Sequence, residues 1–504
     1  MTSGEQSGEP AAESPSGRRP HPAGSSGRGA DARAPVSVRP RQDPAPARQD
    51  PARAGDSPQP LAPTPLPLAV RLVAPDALER LARTQATADD LALLLHALHS
   101  RRLVLLKSLL TRLERDPRAV PAPARERFEA HWSLMERAEA RHAPAVRDTL
   151  DYPSVGNWLA RALAAPQGAP LAAELEHFGS VAAAAALRSG AAFTAELTAP
   201  GGTLALPGIG LLEAGAPVVR LTARARTARL TVPGAEHRPG PVLLRGTRRI
   251  TGAGTGWHGL RRLPGGAAVL DDLDPYRAPA AGVGRSALPP SGRTAGAGRP
   301  WTRRWRAALG LLRATDPQRA AETTALLRCL VPVAGPADGG ETEVSATVRA
   351  APGAILATLP RTAADLAEVL VHETQHTKLA VLHDLVPLHD AGPAAVHRVA
   401  WRPDPRPLAG VFQGTYAHLA LAEFWDRAAR RTAAPDAVRE EARARRDSYR
   451  RQVAEAVPIL LESSELTPAG REFATGMERL LLSLGRTGRM ASGIARASSC
   501  DDVQ

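Results

Sequence analysis

Between Thr362 and Pro387 the chain reads TAADLAEVLVHETQHTKLAVLHDLVP, a run of apolar residues with two histidines, a glutamate, a glutamine and a lysine at its centre. Leu366, Val369 and Leu370 recur at helical spacing, and Thr362 with Asp365 forms a capping box, so the segment is expected to be one helix of about six turns. Polar groups inside an apolar helix need partners once buried. The fold must therefore close around this helix and still give His372, Glu373 and His376 something to bind.

His372-Glu373-Thr374-Gln375-His376 is an HExxH pattern. Residues four apart differ by about 40° around a helix and about 6 Å along it, so both imidazoles lean to one side and can share a metal ion. Glu373, about 100° from His372, is placed to reach a bound water or substrate. The pattern fixes three positions only. Its place in the middle of an apolar helix, with a strand-like segment before it, weighs for a metal site over coincidence.

A third ligand is required. Leu379 and Leu382 stand where a metzincin has glycine and histidine, which excludes that class. His383 lies about 10 Å beyond His376 along the axis and cannot reach the ion from an unbroken helix. Downstream, GVFQGTYAHLALAEFW reads as a second buried helix with two polar candidates. His418 is the first choice and Glu423 the alternative; five residues put them about 140° apart, so they do not share one ion. Asp384 and Asp404 are weaker options. The plain alternative for His418 is a core histidine bonded to a backbone carbonyl.

Around this segment the expected fold is α+β and predominantly α-helical, with a small antiparallel β section in the middle and the HExxH helix packed on the second buried helix. Residues 1–64 lack large apolar side chains and are expected to be a disordered Pro/Ala/Arg-rich tail. Residues 65–191 read as helical: TADDLALLLHALHSRRLVLLKSLLTRLERDP opens on a capping box, Thr87 to Asp90, a helix spans about 122–141, and another ends at Gly190. Residues 192–277 alternate like antiparallel strands and close on the acidic run LDDLDPYR, read as a solvated turn because the calcium-loop spacing is absent. A linker is expected over 278–298, the metal-binding catalytic region over 299–493 and a flexible tail over 494–504.

The balance of 64 Lys+Arg against 51 Asp+Glu gives +13, which suggests nucleic acid until its make-up is read. Only Lys107 and Lys378 are lysines, the arginines are scattered, and no finger, helix-turn-helix or RRM signature is present. Nucleic acid is excluded as a partner on that ground. Two cysteines, Cys329 and Cys500, offer no CxxC spacing, so no disulfide framework or thiolate zinc ribbon is expected. The first residues have no apolar signal region, and VAAAAAL at 181–187 falls far short of a membrane span. No membrane partner and a cytoplasmic location are expected.

LVHETQHTKLAVLHDLVPL, followed by WRPDPRPLAGVFQGTYAHLALAEFW, resembles the HExxH-motif family of bacterial 2-oxoglutarate-dependent peptide β-hydroxylases. Looser matches in RRLVLLKSLL, DYPSVGNWLARAL, HFGSVAAAAALRSGAAF and DDLDPYR extend the resemblance over residues from about 90 to 490. It implies an oxidoreductase, a dioxygenase of RiPP biosynthesis, that uses Fe(II) and 2-oxoglutarate on a ribosomally synthesised precursor peptide, often beside a radical-SAM enzyme. It also implies iron on His372 and His376, with His418 giving a three-histidine set or Glu423 a two-histidine, one-carboxylate set. The far carboxylate of the cosubstrate then calls for a cation, Arg406 or Arg402. Lys378, about 200° round the helix from His376, is expected to pair with an acid on the opposite side. The usual scaffold for this chemistry is a β-barrel, and a helix-borne HExxH departs from it.

Two other classes use the same residues. A zinc metallopeptidase would take Glu373 as general base, Glu423 or another acid as third ligand and Tyr416 as oxyanion donor. A non-catalytic peptide-binding protein would keep a structural metal and lose nothing but stability when Glu373 is replaced.

Overall fold

A computed structural model describes residues 73–234, 240–284, 287–335, 344–394 and 396–498, with side chains as far as residue 485. The expected tail over 1–64 lies outside the described residues. The fold is α+β and mostly helical. Its helices are α1 Pro75–Ala82, α2 Ala88–Arg115, α3 Ala122–Leu150, α4 Pro153–Ala164, α5 Ala169–Ser189, α6 Gly298–Thr315, α7 Pro317–Leu326, α8 Ala363–Leu385, α9 Leu408–Ala429, α10 Asp436–Glu462 and α11 Pro468–Ser498. The last of these runs past the boundary expected at 493. Among the described residues no helix is long and apolar enough to cross a membrane.

Both capping boxes form, Thr87 with Asp90 and Thr362 with Asp365. Helix α3 continues beyond the expected stop near 141: it kinks at His142, where φ is −161°, and resumes to Leu150. Pro144 accounts for the break, since its ring displaces the backbone of the preceding turn and it has no N–H to give. The Ala145 N–H finds His142 Nδ1 at 3.1 Å instead. Helix α5 buries its whole alanine run, 182–186, and ends on Gly190 at φ +71°, so α3 and α5 pack closely over small side chains.

Strands β1 Phe193–Thr198, β2 Thr203–Leu206, β3 Gly210–Glu213, β4 Val218–Arg224, β5 Thr227–Thr231, β6 Val242–Arg245, β7 Thr251–Ala253 and β8 Trp257–Gly259 make two antiparallel sheets, ordered β1-β4-β5-β6-β7 and β2-β3-β8. A third sheet is mixed. It joins β9 Arg261–Arg262 and β10 Val269–Leu270 to β11 Cys329–Pro332, β12 Ser345–Ala346 and β13 Ala354–Ala357 in the order β12-β13-β11-β10-β9, with β10, β11 and β13 mutually parallel. The middle section is thus not wholly antiparallel, because its last strands pair with strands of the 299–493 region. Finally β14 His397–Val399 and β15 Arg402–Arg406 form a short antiparallel ribbon before α9.

Two expectations need correction. Within the expected linker, Ala278, Val283 and Leu288 are buried in the core shared by the helical and β-rich regions, and Pro290 bridges to Val333 beside β11, so these residues are packed. The acidic run is not a solvated turn either. Asp271, Asp272 and Asp274 are buried, Asp271 accepting from the Tyr152 hydroxyl at 2.6 Å, Asp274 from Ser154 at 2.7 Å, and Asp272 meeting Arg261 and Arg293 at 2.6 Å each.

Helix α8 belongs to two cores. Leu366, Ala367, Leu370 and Val371 pack with Trp301, Trp305 and the far end of α9, whereas Leu379, Val381 and Leu382 pack with α1, α10 and α11. The histidines fall where one apolar cluster hands over to the other, which leaves them facing a cavity.

Candidate metal centre

His372 and His376 stand one turn apart on the cavity side of α8, their Nε2 atoms 2.9 Å apart and their rings nearly perpendicular. The His376 Nδ1–H donates to Gln413 Oε1 of α9 at 2.9 Å, which leaves the lone pair of His376 on Nε2, toward His372. Burial, reinforced by His376 and His418, holds the pKa of His372 well below the usual imidazole value. His418 is pushed down to about 3, first by burial and then by His376. Both are therefore neutral at pH 7, the state in which an imidazole can ligate.

His418 projects from α9 into the same cavity, its ring centroid 5.5 Å from that of His372. Trp401 meets it edge-on at 4.7 Å and Tyr449 lies at 5.2 Å on another side. Its Nδ1 is buried and bonds no backbone carbonyl among the described residues, as a core histidine would, while the Gln452 side chain lies near enough to the ring to raise its pKa slightly against the effect of burial. Trp401 can lie there because residue 414 is glycine: a Cβ on Gly414 would come within 2.7 Å of the indole.

Glu373 is almost fully buried. Its Oε1 accepts from Ser345 Oγ of β12 at 2.7 Å, and its Oε2 has no partner among the described residues. The cavity it borders measures about 540 Å³ and is walled by β12, α8, β15 and the start of α9. Arg402 and Arg406, two residues either side of Asp404 on β15, line the same space and share that carboxylate at 3.3 and 3.6 Å.

The remaining candidates lie elsewhere. Glu423 faces away from the cavity, where Arg319 Nη2 at 2.6 Å, Arg427 Nη2 at 2.8 Å, Gln85 and Thr84 saturate its oxygens. Burial alone would raise its pKa; Arg319 and Arg427 outweigh that and hold it at about 2. Lys378 is buried beside it, bonded to Glu322 at 3.0 Å and to the Thr84 carbonyl at 2.9 Å, the opposite-side pairing expected of it. Tyr416 spends its hydroxyl on the Leu81 carbonyl at 2.6 Å, so it offers no oxyanion donor to the cavity. Asp384 pairs with Arg101 and Arg349, and His383 stacks on His389 and accepts the Leu388 N–H.

Two nitrogens 2.9 Å apart, on metal–nitrogen bonds of about 2.0–2.1 Å, subtend about 90° at a shared ion. The separation of the α8 pair therefore matches two ligands of one ion, at an angle suited to neighbouring positions of an octahedron. As placed, no group of three His, Cys, Asp or Glu side chains among the described residues closes on one point. His418 is the side chain whose buried nitrogen and cavity position suit the third place.

Gln413, Ser345 and Trp401 are missing from the sequence reading. Gln413 carried a usable signal, a polar residue five before His418 in an apolar helix. Ser345 and Trp401 reach the site only through the third sheet and the ribbon, and nothing local marks them. Comparison with protein-family models gives no match, and a search of curated proteins gives none.

Proposed function

We propose that this protein is an Fe(II)- and 2-oxoglutarate-dependent enzyme that hydroxylates a side-chain β-carbon of a ribosomally synthesised peptide. The observation that carries the reading is the facing pair of imidazoles in a cavity that three guanidiniums also line. The resemblance of the α8 and α9 segments to peptide β-hydroxylases supports it. His372 and His376 would hold the iron, with His418 as third ligand. When bound, iron with 2-oxoglutarate and O₂ supplies the oxidation: the cosubstrate leaves as succinate and CO₂, one oxygen atom entering the succinate and the other a peptide C–H bond.

The chain's own residues do the rest. Arg402 or Arg406 receives the far carboxylate of the cosubstrate as a planar, two-pronged donor; Asp404 holds both side chains in place. Gln413 fixes the tautomer of His376. Ser345 orients Glu373, leaving Oε2 to accept a hydrogen bond or proton from substrate in the cavity. Trp401, seated on Gly414, shields the His418 side from water. On this reading the protein works in the cytoplasm, with a radical-SAM peptide-modifying enzyme as a candidate partner.

A zinc peptidase is the second reading, and the unpaired Oε2 of Glu373 next to His372 favours it. It is weaker because Tyr416 and Glu423, the residues it needs for oxyanion and metal, are committed to Leu81 and to Arg319. The deciding experiment loads the protein anaerobically with Fe(II), then adds 2-oxoglutarate, air and the precursor peptide encoded beside its gene. One oxygen atom added to the peptide with matching succinate supports hydroxylation; cleavage fragments formed with zinc and no cosubstrate overturn it.

A further inference from the structure

Strand β12 is the outermost strand of the third sheet. Ser345 lies opposite Ala357 and Ala346 opposite Leu356, and the Thr358 N–H donates to the Val344 carbonyl. In an antiparallel ladder, hydrogen-bonded and non-hydrogen-bonded pairs alternate. Val344 and Ala346 therefore turn their backbone groups inward to β13, Ser345 turns its own to the outer edge, and Thr347, just past the strand, is the next residue in that alternation. Among the described residues no strand pairs with that edge.

The edge borders the candidate metal centre. Residues 345–348 line the cavity together with His372 and Glu373, and Ser345 Oγ is bonded to Glu373. A row of free N–H and C=O groups is matched best by another extended backbone. Charge adds a second constraint. Arg101 and Arg349 share Asp384, and Arg402 and Arg406 share Asp404, so each carboxylate faces two guanidiniums. Arg349, Arg402 and Arg406 all line the cavity, whereas Glu373 is the acidic side chain that does.

We infer that the substrate enters as an extended acidic segment that adds a strand to the outer edge of β12, exchanging backbone hydrogen bonds with Ser345 and Thr347 and presenting one side chain toward His372 and His376. This rests on the reading of the cavity as a peptide-modifying site. It makes a main-chain contact the source of affinity and leaves the arginine rim to select acidic sequence.

The test measures anisotropy of a fluorescein-labelled peptide of alternating Glu and Val on the full-length protein. Two further probes carry N-methyl groups on alternate amides, one on the Glu set and one on the Val set, and a third replaces Glu by Lys. Pairing with one edge predicts that only one methylation phase weakens binding, by about tenfold or more, and that the Lys peptide loses binding. Thr347→Pro removes an outward N–H without touching the ladder to β13; it should weaken the unmethylated probe about tenfold while Fe(II) content stays unchanged. Equal effects of the two phases, no binding of the acidic probe, or equal binding of the Lys peptide would each overturn the inference. Iron uptake is read separately, so failure of the metal site and failure of strand addition give different results.

Discussion

Gln413 shows how a single side chain sets the tautomer of a candidate metal ligand. By accepting the His376 Nδ1–H it directs the lone pair of Nε2 toward His372. Replacing an outer partner of this kind commonly lowers metal affinity 10- to 100-fold, so Gln413→Leu should weaken Fe(II) binding about tenfold in a competition titration, with the melting temperature little changed. Unaltered affinity would mean that the pair needs no such support. Glu373 makes a different prediction. Its Oε1 is tied to Ser345 and its buried Oε2 has no partner among the described residues, so Glu373→Gln should keep the metal and lower turnover about 100-fold or more; full turnover in that variant would leave Glu373 a purely structural residue. His372, Glu373 and His376 were legible as candidates from spacing, since helical periodicity converts positions in the chain into positions on a face, and His418 as a polar residue in an apolar helix with Glu423 as its alternative. Ser345 was not, because strand register across a sheet has no trace in local sequence.

At the scale of elements, α8 and α9 carry two polar systems on opposite sides. One side is the cavity; the other is a buried ion network of Lys378, Glu322, Arg319 and Glu423 that ties both helices to α7 and to the turn after α1. Removing one partner leaves a buried charge uncompensated, at a cost of about 3–5 kcal/mol. Glu423→Ala should thus lower thermal stability strongly while leaving the iron stoichiometry at that of the native chain, and loss of iron from a variant that remains folded would make Glu423 a ligand after all. The helix pair itself was readable in advance because both segments are apolar at helical spacing with a capping box or proline before them. The kink of α3 at His142 was hidden by a proline that the helical pattern simply resumes beyond. The mixed sheet was hidden because β10, β11 and β13 come from separate regions of the chain and only tertiary packing brings them into register.

For the whole molecule, the buried residues Ala278, Val283 and Leu288 and the buried aspartates Asp271, Asp272 and Asp274 join the helical and β-rich regions to the sheet that supports α8. Burial, with a further push from Asp271, raises the pKa of Asp274 to about 7. A carboxyl whose folded pKa lies above its unfolded value of about 4 binds its proton more tightly in the native state, so its contribution to stability is present below about pH 4 and is lost as pH rises to about 7. Across the same range the depressed imidazoles of His372 and His418 make stability rise toward neutrality and Asp274 opposes that rise, so Asp274→Asn, which cannot titrate, should rise more steeply than the native chain in urea unfolding; an unchanged slope would mean that Asp274 does not titrate there. On the proposed function, His372, His376 and His418 hold one iron that 2-oxoglutarate chelates. Anaerobic titration of the metal-free protein with Fe(II) and 2-oxoglutarate, followed by visible absorption, tests it most directly. The account predicts a charge-transfer band that saturates at one iron per chain, disappears in His376→Ala, weakens in His418→Ala and bleaches with succinate release when air is admitted; no band at saturating iron and cosubstrate, or a band indifferent to both histidines, would contradict it.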